Sequence, residues 1–153
     1  MTRRISKSGE KLIRDFEGLR LTSYLCSANV WTCGVGETGS DIKQGTVWTP
    51  EYAEQRFQRR LRIVEAEVDK MLMGAPRIPD EVHAVLCSMT FNMGATAMAK
   101  SSLVRKLRKG DLAGAFNEVP RWCHAGGQLV AGLVRRRAAE QALWAESMQG
   151  RWR

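Results

Sequence analysis

Between Ser6 and Gly18 the apolar residues Leu12, Ile13 and Phe16 fall on one helical face. Ser6 or Ser8 can cap the start, and Gly18 is a natural stop. The spacing predicts a short amphipathic helix with Glu17 in its last turn. From Leu19 to Gly45 the pattern changes to short runs of Thr, Tyr, Val and Trp, broken by Ser27, Ala28 and Asn29 and again by Gly34, Gly36 and Gly39. Such a pattern predicts a small antiparallel hairpin region. A turn near Ser27 to Asn29 would fold the strand leading to Cys26 back beside the strand carrying Thr32.

Thr49, Pro50 and Glu51 supply an N-cap, a first helical residue and an acid at the positive end of a helix dipole. Phe57, Leu61, Val64, Val68 and Met71 then recur at helical spacing, so one long amphipathic helix is expected. Asp80 is read as the cap of a further helix with Val82, Val85, Leu86 and Met89 on its apolar face. Short helices are expected at about Leu103 to Lys109 and Leu112 to Val119, ending at Gly110 and Pro120, and a final helix at about Leu133 to Ser147. There is no internal repeat. The order of elements predicts an α+β fold, predominantly α-helical, in a single domain of residues 1–153. Its expected parts are a first helix plus sheet lobe over about 1–50, a connecting helix over about 51–73 and a helical lobe over about 74–153.

Composition narrows the class. A length of 153 residues allows a buried core without disulfide staples, and no apolar run approaches the roughly 20 residues that span a bilayer. The basic start, "MTRRISKSGEK", is not followed by an apolar stretch, so a conventional secretory signal is not expected. A formal charge of +8 favours polyanionic partners: nucleic acid, an anionic membrane surface or a cell-wall polymer. Cys26, Cys33, Cys87 and Cys123 are too few and scattered for a disulfide scaffold, and reduced thiols are the default for a cytosolic product. His83 and His124 lack metal-ligand spacing. Neither a metal nor another cofactor is expected. Trp31, Trp48, Trp122 and Trp144 read as packing residues, and Trp152 as part of a terminal tail that could touch membrane or wall.

Glu17 is the first candidate for chemistry. Glycoside hydrolysis needs a carboxylic acid to protonate the leaving oxygen and a second group to direct water or attack carbon. An acid at the negative end of a helix dipole, with apolar neighbours, suits the first task. The plain alternative is a solvated helix-end acid, which most surface carboxylates are.

The stretch "FEGLRLTSY", followed by Cys26 and by "WTCGVG" with Thr32, resembles a wider pattern: Glu, eight residues, Asp or Cys, five residues, Thr. That is the catalytic pattern of phage-type lysozymes, the muramidase endolysins of glycoside hydrolase family 24. The likeness extends through "SDIKQGTVWTPEYAEQRF", "FNMG", "SSLVRKLRKGD" and "RWCHAGGQLVAGLVRRRAAEQALW", in the family's order and over nearly the whole chain. It implies a lysozyme-like fold with a sheet lobe, a helical lobe and peptidoglycan bound in a cleft between them. The implied reaction is hydrolysis of the β-1,4 bond between N-acetylmuramic acid and N-acetylglucosamine, for host lysis.

The resemblance also implies roles for residues. Glu17 matches the general acid, Cys26 the second catalytic group and Thr32 the hydroxyl that holds the hydrolytic water. Phe91 and Ser102 match cleft-lining positions, and Arg136 matches an arginine that pairs with the catalytic glutamate. Attack by Cys26 on the anomeric carbon would retain configuration; orientation of water would invert it. Glu37 departs from the family, standing in "GVGETG" where many relatives have His. A solvated loop acid is the default for it, and a replacement carboxylate the alternative. On alternating strands Cys33 should point away from Thr32, and a disulfide between Cys26 and Cys33 would inactivate the site.

Expected partners follow from the same resemblance: peptidoglycan, no nucleic acid, no stable membrane insertion, and a monomer that depends on a holin. The enzyme would wait in the host cytoplasm and reach the periplasmic wall after membrane permeabilisation. Two rivals remain open at this level. A lytic transglycosylase also relies on one Glu and would leave 1,6-anhydro ends, whereas a basic binding module would have lost catalysis through Cys26.

Overall fold

The computed structural model describes residues 1–149, and the chain divides into two compact units. Residues Ile13–Ile63 form one; Met1–Leu12 and the chain from Val64 onward form the other. Helix α1 spans Lys7–Glu17. Ser6 caps it, its Oγ accepting from the Gly9 N–H at 3.2 Å. Gly18 ends it at φ +70° while donating to the Arg14 carbonyl at 2.9 Å.

In the smaller unit three antiparallel strands follow in the order β1-β2-β3: β1 at Arg20–Leu25, β2 at Trp31–Gly34 and β3 at Glu37–Thr38. Leu25 lies opposite Trp31, Tyr24 opposite Thr32, and Cys33 opposite Glu37. The predicted turn between β1 and β2 is present, with Asn29 at φ +58° and the Cys26 N–H donating to the Val30 carbonyl at 3.0 Å. The other edge of β1 is covered where Thr22 bridges to Val47 and Trp48 donates to the Leu21 carbonyl at 2.8 Å. Cys33, Ile42, Trp48 and Ala53 make the core of this unit, with Leu21 and Trp31 packed against it. Each large apolar side chain buried this way contributes about 1.5–3 kcal/mol. Cys33 faces this core, and β2 is buried from Thr32 to Gly34 rather than on alternate residues alone.

Helix α2 runs over Pro50–Met71, capped by the Thr49 hydroxyl, which accepts from the Tyr52 N–H at 3.1 Å. Its predicted stripe of Phe57, Leu61, Val64, Val68 and Met71 is buried.

The larger unit is helical. Helix α3, Asp80–Met93, is buried continuously from Val82 to Phe91, the pattern of a central helix packed on all sides. Asp80 does not cap it. Pro79 occupies the cap position without a side-chain bond, and Asp80 is the first helical residue, its carboxylate paired with Arg3 at 2.5 Å. That ion pair belongs to an N-terminal clamp in which Arg3 also donates to the Ile78 carbonyl, its backbone N–H to Asp69 and the Ile5 N–H to buried Glu65. The helix starts one residue earlier than the cap reading requires, so the Asp80 side chain lies inside the first turn, where it is free to meet Arg3.

A short α4, Ala95–Ala99, follows Gly94 and was not signalled by periodicity, being barely one turn. Helix α5, Ser102–Arg108, is capped by Ser101, and α6, Leu112–Glu118, by Asp111. Pro120 sits in a 3-10 turn, Val119–Arg121, that extends α6. Two further strands, β4 at His124–Ala125 and β5 at Gln128–Leu129, pair across Gly126 and Gly127, and α7 covers Ala131–Gln149. Trp144 is 1% exposed and meets Phe116 edge-on at 5.8 Å. Trp152 lies outside the described residues. Among the described residues no helix is long and apolar enough to cross a membrane.

His83 is buried on α3 with its Nε2 3.8 Å from the Cys87 sulfur. Burial, aided by the Arg3 charge and opposed by Asp69 and Asp80, pushes its pKa down to about 4. The unfolded chain therefore binds a proton between about pH 6.5 and 4 that the folded chain refuses. Stability is fully present above pH 6.5 and is lost as pH falls through that window, by about 1–2 kcal/mol at pH 5. Urea unfolding at pH 7 and pH 5 should show this loss, and His83→Gln should flatten it. Equal stability at the two pH values would contradict a neutral buried His83.

Candidate active site

Glu17 is the last residue of α1, fixed by the abrupt stop at Gly18. Cys26 follows the end of β1, in a loop closed by two backbone bonds: Cys26 N–H to the Val30 carbonyl and Asn29 N–H to the Cys26 carbonyl at 2.9 Å. It is the half-buried member of four free cysteines; Cys33, Cys87 and Cys123 are buried. Backbone hydrogen bonding from Val30 is the main influence that draws the Cys26 thiol below its ordinary value. Partial burial opposes it, and Ala28 and the Thr32 hydroxyl assist. A thiolate is thereby favoured at this place.

Thr32 is on β2, 4% exposed, and its hydroxyl donates to the Val30 carbonyl at 2.9 Å. The hydroxyl carries one proton and two lone pairs. Its proton can go to Val30 or to the Cys26 sulfur, and the lone pairs are acceptor positions in either case. Tyr24, which the family pattern does not mark, lies opposite Thr32 on β1. Burial raises its pKa, and so does the charge of Glu17, while Arg20 opposes; Cys26 and Cys33 add smaller upward pushes. The phenol thus lies within electrostatic reach of Glu17 and Cys26 together. Its signal was available, since Tyr24 stands two residues before Cys26 in the strand that leads to it. The Arg20 guanidinium lies 4.4 Å from the Tyr24 ring centroid, a contact that period alone does not reveal.

Cys33 faces the core, its sulfur 3.6 Å from the carbonyls of Arg20 and Leu21, and burial pushes its thiol up. Glu37 is not a solvated loop acid. Its side chain is 14% exposed and pairs with Arg56 at 3.4 Å, because the turn before β3 directs it toward α2 rather than to water.

The remaining candidates belong to the larger unit. Phe91 is buried near the end of α3, and Ser102 begins α5, where its hydroxyl accepts from Arg105 at 3.0 Å. Arg136 on α7 is 4% exposed; its Nε bonds Glu140 at 3.2 Å and its Nη2 lies 3.3 Å from both the Ser88 carbonyl and hydroxyl. Glu140 went unnoticed in the sequence. It is fully buried and one oxygen also accepts from Arg137 at 2.8 Å and Ser88 at 3.1 Å. Arg137 reaches Asn92 at 2.7 Å and the Trp122 carbonyl at 3.3 Å. The i,i+3 and i,i+4 spacing of Arg137 and Arg136 to Glu140 was the readable sign of this cluster.

A profile described as phage lysozyme matches residues 14–140. The chain belongs to the phage lysozyme family. It is 38% identical over 146 residues to an endolysin of Acyrthosiphon pisum secondary endosymbiont phage 1, covering 92% of this chain and 97% of that one. An endolysin of Bacillus phage PZA is 37% identical over 142 residues, and there the match covers 92% of this chain but 54% of the longer relative. Among solved structures, the muramidase domain of SpmX from Asticaccaulis excentricus aligns with a TM-score of 0.80 at 29% identity, over 93% of this chain and 98% of that one. As a phage lysozyme the chain has the α+β lysozyme-like fold and is a lysozyme-type glycoside hydrolase.

Within this phage lysozyme, Cys26 should be the reactive thiol. Iodoacetamide labelling followed by mass spectrometry is expected to modify Cys26 before the three buried cysteines, with a rate midpoint below the ordinary thiol value. Thr32→Val should move the midpoint up. Preferential labelling at Cys33 or Cys87, or a midpoint at or above the ordinary value, would contradict the local geometry.

Proposed function

We propose that the chain is an endolysin that hydrolyses the β-1,4 bond between N-acetylmuramic acid and N-acetylglucosamine in peptidoglycan, with Glu17 as general acid and Cys26 with Thr32 directing water. The observation that carries the second assignment is that the Thr32 hydroxyl and the Cys26 N–H converge on one acceptor, the Val30 carbonyl, at 2.9 and 3.0 Å, with the Thr32 hydroxyl helping to draw the Cys26 thiol below its usual range. A thiolate accepts the proton of a water that the Thr32 oxygen also holds. That water's oxygen bonds to the anomeric carbon as the glycosidic bond breaks. The bonding electrons pass to the leaving 4-oxygen, which takes the proton of Glu17. Displacement from the opposite face inverts the anomeric centre.

Phe91 and Ser102 are proposed to line sugar subsites, and Arg136 to support Glu17 electrostatically. The net charge of +8 supports attraction to an anionic wall and a place at its surface once the membrane is opened. A holin supplies that opening in this reading, and the enzyme acts as a monomer. The family and its endolysin relatives do not favour a transglycosylase or a catalytically dead module.

The test is mass spectrometry of soluble products from purified Gram-negative peptidoglycan, under reducing conditions. Wild-type protein should release muropeptides with muramic reducing ends, and Glu17→Gln should lower the rate by roughly 10²–10⁴-fold, the range of general-acid contributions. Anhydro-muropeptides would replace this reading with a transglycosylase. Proton NMR of freshly cut product should show the inverted anomer first; the retained anomer would make Cys26 the nucleophile.

A further inference from the structure

The connection from β2 to β3 passes through Val35 and Gly36, and Gly36 sits at φ +65°. Glycine adopts that region without the clash that a Cβ brings. Backbone conformation is only half of the matter. A methyl group built on Gly36 would overlap Glu17 Oε2 and lie 3.0 Å from its Cδ and 3.4 Å from its Cβ. The bare backbone of this turn is therefore a wall against which the Glu17 carboxyl group rests.

The wall is itself anchored. Glu37, the next residue, pairs with Arg56 Nη2 at 3.4 Å, and Arg56 Nη1 holds Asp41 at 2.5 Å. The same guanidinium stacks over Trp48, 4.7 Å from the ring centroid. Arg56 is thus fixed on one face by an aromatic ring and at its edge by two carboxylates, a geometry that uses its planar fork. Gly45 offers a contrast within the same unit: it lies at φ +83°, yet its Cβ position has nothing within 4 Å.

We infer that Gly36 and Glu37 are positioning residues for Glu17: Gly36 is a backstop that fixes where the carboxyl group stands, and the pair of Glu37 with Arg56 holds the backstop in place. The inference rests on the reading of Glu17 as general acid. It also gives Glu37 a role other than that of a replacement catalytic carboxylate.

Steady-state kinetics on soluble peptidoglycan fragments, thermal unfolding and the carboxyl 13C shift of Glu17 test it together. Gly36→Ala should lower kcat by about 100-fold, the scale expected when a reacting group moves by about 1 Å, with KM within about threefold of wild type. Gly45→Ala carries comparable backbone strain without the overlap and should keep kcat within about threefold. Glu37→Gln should lower kcat by about 3–10-fold at unchanged KM, and both Gly36→Ala and Glu37→Gln should move the Glu17 carboxyl resonance. Parallel losses in Gly36→Ala and Gly45→Ala would reduce the effect to turn strain and overturn the inference. So would wild-type kcat in Gly36→Ala, or abolition of activity by Glu37→Gln to the level of Glu17→Gln. If wild-type protein shows no Glu17-dependent cleavage, the general-acid reading fails separately, and the carboxyl resonance still decides whether Gly36 and Glu37 set the position of Glu17.

Discussion

The Trp48 indole is the fixed point of the sheet unit. Cys33, Ile42 and Ala53 pack with it, Tyr52 meets it edge-on at 5.1 Å and Gly34 comes so near that a Cβ there would lie 2.8 Å from the ring. One large rigid side chain thus sets the spacing between β2 and α2. Arg56 extends the constraint outward by stacking on the ring while gripping Glu37 and Asp41. Through Glu37 the aromatic core reaches the turn at Gly36 and so the end of α1. Fixing a side chain at the end of α1 against so small a sheet needs such a chain of rigid contacts, because three short strands alone have little stiffness.

The larger unit meets a different constraint. Glu65, Glu140, Arg136 and Arg137 are buried, although an ion taken from water costs several kcal/mol unless its partners replace the lost hydration. Glu140 satisfies one oxygen through Ser88, Arg136 and Arg137, and Glu65 takes the Ile5 N–H. Burial pushes both carboxyls up, while neighbouring donors and guanidiniums hold them down. A hydrophobic cluster of similar volume would bind the helices at least as well. What the charges add is direction: Ser88 and Glu140 leave Arg136 few rotamers.

Legibility followed physical range. Helix α1 was readable because apolar spacing, cap and stop agree within a dozen residues, α2 because its cap leads into a regular apolar stripe, and the hairpin of β1 and β2 because Ser27 to Asn29 is a strong local breaker. Asp80 was misread, since its cap chemistry is local whereas Arg3, its true partner, lies 77 positions away in sequence. The short α4 and the strands β4 and β5 depend on packing more than on periodicity. The family pattern pointed to Glu17, Cys26 and Thr32, yet Tyr24 and Gly36 come to Glu17 through proximity that only folding creates, and within the larger unit the same holds for the pairing of Glu140 with Ser88. Glu37 shows the same limit: a glycine-rich segment predicts exposure, whereas Arg56, 19 positions on in sequence, takes its carboxylate.

Cys26 carries a consequence that a carboxylate at the same position would not. A half-buried sulfur with a lowered proton affinity is a soft ligand and a soft nucleophile. Hard cations, magnesium and calcium among them, have little affinity for it, while cuprous, zinc and mercuric ions prefer it to oxygen ligands. Peroxide can carry the same sulfur to sulfenic acid, a step that thiols reverse and that has no counterpart for aspartate. Thiol buffers and trace metals therefore act on this position, where they would pass an aspartate by.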